Sequence, residues 1–246
     1  MSAWVKTILL LIGSALLTQF IPFSEYFRNL DTMIHEFGHA AMTMALSGKV
    51  MAIVLNADHS GVTYSSVSSS WKLLPISMAG YIAASLFAVF LFWAYARGKQ
   101  RLGLQLMTGV AILSLILFVR NTFGVGWLIG FILLNVLVLA FTSGFIRNAY
   151  YLIIAFLCLE ESVYGPLTLT MLAAGKPGQA GDATNLASFT GVPAIGWGVL
   201  FLAISLWCAK TAIQYFLGGS KGSRSRSGGG RKASPSSSVY VPQHRE

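Results

Sequence analysis

His35, Glu36 and His39 stand in the spacing H-E-x-x-H within the stretch D-T-M-I-H-E-F-G-H-A-A-M. On an α-helix, residues four apart project from one face a single turn apart, so two imidazoles placed this way can grip one Zn2+. Glu36, beside them, is positioned to take a proton from water activated by that metal, the general-base role this pattern carries in metal-dependent hydrolysis. The surrounding sequence is apolar, and three ionisable groups on one turn of a membrane-type helix are costly and functional by default. The bland alternative is a helix whose histidines are satisfied by backbone or water, with Glu36 as a partner for the helix dipole.

H-E-F-G-H-A followed by small residues, Gly48 and Val50 resembles the first motif of the site-2 proteases, zinc metalloproteases that cut inside membranes; Gly38 fits the same pattern. The resemblance implies that His35 and His39 bind zinc, that Glu36 activates water, and that a distant aspartate is the third ligand. A site with two histidines needs a third protein ligand if one position is to stay open for water. The aspartates of the chain are Asp31, Asp58 and Asp182. Asp31, one turn before His35, suits a helix cap, and Asp58 falls in a turn-like stretch. Asp182 is therefore the expected third ligand, with Asp58, His59, Glu160 and Glu161 as alternatives. Its context, G-D-A-T-N-L, loosely resembles the family's second metal motif but lacks the usual L-D-G and an upstream N-x-x-P. Asp182 as a simple N-cap is the competing reading. Asn185, one turn on, is either a surface residue or an orienter of the ligand or the substrate backbone.

The elements that must hold these residues are membrane helices. Of 246 residues, 55% are hydrophobic and 10% charged, with a mean hydropathy of +0.67, too apolar for a water-soluble domain of this length. The formal charge of +9 does not argue for nucleic acid, because the basic residues gather at span ends and in the C-terminal tail, where anionic lipid and the positive-inside rule account for them. Cys158 and Cys208 lie far apart in apolar stretches and read as packing residues.

The expected fold is an all-α polytopic membrane protein of about six transmembrane helices, with a small β-hairpin after the metal-site helix. Residues 4–21 form a retained first span, and Pro22 ends it. A polar link through Glu25, Arg28 and Asn29 leads to a helix of about 17 residues beginning at Asp31, short for a bilayer core of about 30 Å. Residues 49–66 read as the hairpin, with Asp58 and His59 at its turn. The resemblance gives the hairpin a use, since intramembrane proteases add an unwound substrate segment to a sheet edge.

Spans are expected at 73–96, 102–119 and 123–146, with Arg97, Lys99 and Arg101 marking a cytoplasmic loop. Residues 149–174, interrupted by Glu160, Glu161 and Pro166, suit a broken or re-entrant element. The two glutamates read as an exposed helix end or as a metal or proton-handling pair. A helix over 192–217 closes a membrane-embedded domain of residues 1–217, and residues 218–246, rich in Gly, Ser and Arg, form a disordered basic tail on the cytoplasmic side.

These readings converge on an intramembrane zinc endopeptidase, a multi-pass protein of the plasma membrane whose partners are the lipid bilayer and a membrane-protein substrate. A transporter or metal-handling channel would instead spread polar residues along several spans. An inactive homologue acting as a scaffold would have no need of an intact Glu36.

Overall fold

The computed structural model describes residues 3–20 and 24–227. Its elements run α1 (Ala3–Gln19), α2 (Ser24–Ala45), β1 (Lys49–Leu55), β2 (Gly61–Ser66), α3 (Leu73–Ala96), α4 (Gln100–Leu117), α5 (Thr122–Phe141), α6 (Gly144–Gly175), α7 (Gly181–Thr190) and α8 (Ala194–Ser227). Five helices are long and apolar enough to cross a membrane: α3 with its preceding turn (Ser70–Ala96), α4, α5, α6 and the Ala194–Gly218 part of α8. They fit a multi-pass membrane protein. In α1 the apolar stretch is the shorter Trp4–Ser14, and Pro22 lies outside the described residues. The exposed large side chains Leu106, Leu113, Leu133, Leu137 and Val199 give α4, α5 and α8 the apolar outer faces that lipid requires.

α3 has the bounds its sequence predicts. α2 does not: it begins at Ser24, so the expected polar link is helical and Asp31 lies inside the helix rather than at its cap. At about 1.5 Å per residue its 22 residues reach roughly 33 Å. The region 149–174 is not broken either, because α6 runs unbroken for 32 residues with Pro166 inside it. One contact explains both departures. Arg28 of α2 pairs with Glu160, at 3.3 Å, and with Glu161 of α6, so the charges that argued for a link and a break are partners of one another. The glutamates are accordingly mostly buried mid-helix and are not an exposed end. The proline is tolerated as in other membrane helices, whose neighbours and side chains re-satisfy freed backbone groups. At the end of the domain α8 continues to Ser227, and residues 228–246 of the expected tail lie outside the described residues.

β1 and β2 pair antiparallel, from Lys49 opposite Ser66 to Leu55 opposite Gly61, with a bulge between Val50 and Ala52. The hairpin folds back along α2. Thr32 Oγ1 donates to the His59 carbonyl at 2.8 Å, Thr63 Oγ1 lies 3.0 Å from the Glu36 carbonyl, and Thr43 and Ser65 share a hydroxyl hydrogen bond of 2.9 Å. The outer edge of β1 is covered: Ile53 N–H donates to the Phe118 carbonyl at 3.0 Å, and the Asn121 amide side chain both donates to and accepts from the Leu55 backbone. No further strand pairs with the outer edge of β2 among the described residues.

α2 and α3 pack through small residues. A Cβ on Gly38 would come within 2.7 Å of the Ala83 Cβ and 2.8 Å of the Ala79 carbonyl oxygen, so only glycine permits this approach. Cys158 and Cys208 are both free and buried, as packing residues should be.

Candidate metal centre

The helical spacing of α2 brings the His35 and His39 Nε2 atoms to 3.0 Å, with the rings edge to face at 4.7 Å between centroids. His39 Nδ1 lies 2.6 Å from the Ile76 carbonyl of α3. A carbonyl only accepts, so Nδ1 carries the proton and Nε2 presents its lone pair to the cavity, the arrangement found in metal-ligating histidines.

Asp182 joins them from α7. Its Oδ2 lies 3.3 Å from His35 Nε2 and 3.2 Å from His39 Nε2. The local chain explains why this carboxylate is available. Gly181, at φ +45°, turns the backbone into α7, and the Ala180 N–H ahead of it donates to Thr184 Oγ1 at 2.9 Å. Thr184, not Asp182, thus serves the helix start, and no cap hydrogen bond is made by an Asp182 side chain. Burial alone would raise the Asp182 carboxyl, but the two imidazoles beside it outweigh that and hold it well below the usual carboxylate range.

The three separations test whether a metal fits. Ligands about 2 Å from a shared tetrahedral ion stand about 3.3 Å apart, and the observed triangle has edges of 3.0, 3.2 and 3.3 Å. Two imidazoles and a carboxylate also match the donor chemistry of catalytic zinc sites, which keep a fourth position open. Space is reserved for this arrangement, because a Cβ on Gly80 would lie 2.5 Å from His35 Nε2 and 2.6 Å from His39 Nε2.

Glu36, buried beside the group, is held by the hairpin. Thr63 Oγ1 donates to Glu36 Oε2 at 2.6 Å, and a Cβ on Gly61 would come within 2.7 Å of Oε1. His35, Glu36, His39, Tyr81, Asp182 and Asn185 are among the residues lining a cavity of about 330 Å³.

The alternative ligands lie elsewhere. Asp58 sits at the hairpin turn, where the hydroxyl and amide of Ser60 donate to it and hold its carboxyl below the usual range. His59, left-handed at φ 64°, is at the same turn, 3.7 Å from Glu25. Glu160 and Glu161 are engaged with Arg28. These residues border a second, larger cavity of about 800 Å³, and Tyr81 lines both cavities. Sequence reasoning did not single out Gly80, Thr63 or Tyr81 for the site; their places in it arise from the approach of α3 and β2 to α2.

Among known proteins, a family model described as Peptidase M50B-like matches residues 3–212. No curated protein and no solved structure matches.

Proposed function

The chain belongs to the Peptidase M50B-like family, which is the site-2 protease-like family, and from that premise we propose that it is an intramembrane zinc endopeptidase acting on transmembrane or membrane-adjacent segments of other proteins. The observation that carries the reading is the triangle of His35, His39 and Asp182 with Glu36 on the same cavity wall.

In this reading His35, His39 and Asp182 hold zinc. When bound there, zinc supplies Lewis acidity and brings the acidity of water into the neutral range. Glu36 takes one proton from the attacking water as the water oxygen bonds to the scissile carbonyl carbon and the carbonyl electron pair moves onto its oxygen. The C–N bond then breaks, the leaving nitrogen receives the proton from Glu36, and the new carboxyl ionises. Thr63 orients Glu36 throughout. The unpaired edge of β2, whose Gly61, Val62, Thr63 and Ser65 line the cavity, is suited to align an unwound substrate strand by main-chain hydrogen bonds.

Arg97, Lys99 and Arg101 and the basic tail both favour the cytoplasmic face of a plasma membrane. Four candidate spans, α4, α5, α6 and α8, separate them, and an even number of crossings returns the chain to the same side.

The test is cleavage of a membrane-embedded reporter by protein reconstituted in vesicles. Wild type should cleave and stop on chelation, whereas Glu36→Gln should keep its zinc and lose about 10²-fold or more in rate, the usual scale of general-base catalysis. Near-normal turnover by that variant would place the base elsewhere.

A further inference from the structure

Tyr81 stands on α3 at the wall shared by the two cavities. Two ring contacts hold its ring, and α6 passes close by. The ring meets His35 edge to face at 4.5 Å between centroids and Phe201 of α8 at 4.9 Å. From α6, a Cβ built on Gly165 would already touch its Cε1 at 3.5 Å. These contacts account for an aromatic ring but not for a phenol. The hydroxyl makes no hydrogen bond to the described residues, although the side chain lies within electrostatic reach of the carboxylates of Asp182, Asp31 and Glu36. A polar group left without a protein partner beside a reaction cavity calls for a reason.

Peptide hydrolysis supplies one. As water adds to the carbonyl carbon, charge develops on the carbonyl oxygen, and a donor already aimed at that oxygen stabilises the transition state without reorganising. Two other hydroxyls lining the metal cavity are committed, Thr63 to Glu36 and Ser65 to Thr43. Tyr81 is the cavity donor in ring contact with an imidazole of the metal group, and a phenol is a neutral donor at pH 7. Resting on the proteolytic reading above, we propose that Tyr81 is a further catalytic residue whose hydroxyl donates a hydrogen bond to the scissile carbonyl oxygen as it becomes an oxyanion. Tyr81 neither gains nor loses its proton in this step; the water proton goes to Glu36.

The test is Tyr81→Phe, which keeps the ring contacts with His35 and Phe201. Three quantities are measured on zinc-loaded protein: metal content, kcat and KM on the membrane reporter, and affinity for a phosphinic peptide whose tetrahedral P–O− mimics the oxyanion. The role requires unchanged zinc, little change in KM, and parallel losses of about 10²-fold in kcat and phosphinate affinity. Because binding needs no turnover, the same loss of phosphinate affinity should appear when Tyr81→Phe is added to Glu36→Gln. Tyr81→Phe with wild-type kcat and phosphinate affinity would overturn the role and leave proteolysis standing. Loss of zinc in Tyr81→Phe would also overturn it, making Tyr81 a support for His35. A zinc-loaded wild type that neither cleaves nor binds the phosphinate would remove the proteolytic reading and this role together.

Discussion

At the scale of the residue, the metal group depends as much on an absent side chain as on the present ones. Gly80 lets α3 pass so close to His35 and His39 that a methyl group there would fall within 2.5 Å of a ring nitrogen. Gly80→Ala should therefore displace an imidazole and weaken zinc binding by at least tenfold while circular dichroism still shows a helical protein; undiminished affinity would mean that the rings are free to move aside. Thr63→Val should leave zinc in place and slow cleavage, because Glu36 loses the hydroxyl that orients it. His35, Glu36 and His39 are legible in the sequence because four-residue spacing is a local property of a helix. Asp182 is legible only through the family resemblance and the requirement for a third ligand, since nothing in G-D-A-T-N-L states that Thr184 will relieve it of capping. Gly80, Thr63 and Tyr81 act through elements that meet them from elsewhere in the chain, and no local pattern marks them.

At the scale of the element, the ion pair between α2 and α6 decides two helices at once. Read in separate windows, Arg28 argues for a polar link and Glu160 with Glu161 for a broken span; read together they are ion-pair partners and both helices run on. Periodicity cannot see such a pairing, whereas α3, which carries no charge, is read correctly from its own residues. Arg28→Ala takes the guanidinium away from two mostly buried carboxylates and should destabilise the protein by about 3 kcal/mol, the usual cost of removing one partner from such a pair. Adding Glu160→Gln and Glu161→Gln should restore much of the loss in a denaturation experiment. If Arg28→Ala alone is as stable as wild type, the pair does not hold α2 against α6. The hairpin was legible from its β-branched runs and turn residues, but its return along α2 to reach Glu36 was not, because that placement is made by Thr32, Thr43 and Thr63.

At the scale of the whole molecule, composition announces a membrane protein and the structure supplies five helices fit to span it, close to the expected six. The difference lies at the N-terminus, where α1 has a short apolar stretch and α2 trades hydropathy for the residues of the site. The family match ends at residue 212, so removing residues 228–246 should leave insertion and zinc content unchanged; a truncated protein that fails to insert would show that the tail belongs to the fold. The central claim is that one zinc ion is held jointly by α2 and α7, and metal analysis of the purified full chain tests it most directly. About one zinc per chain is expected in wild type and in Glu36→Gln, with loss in His39→Ala, in Asp182→Ala and, because the anion itself is the ligand, in Asp182→Asn. Equal zinc in all five proteins would contradict the account.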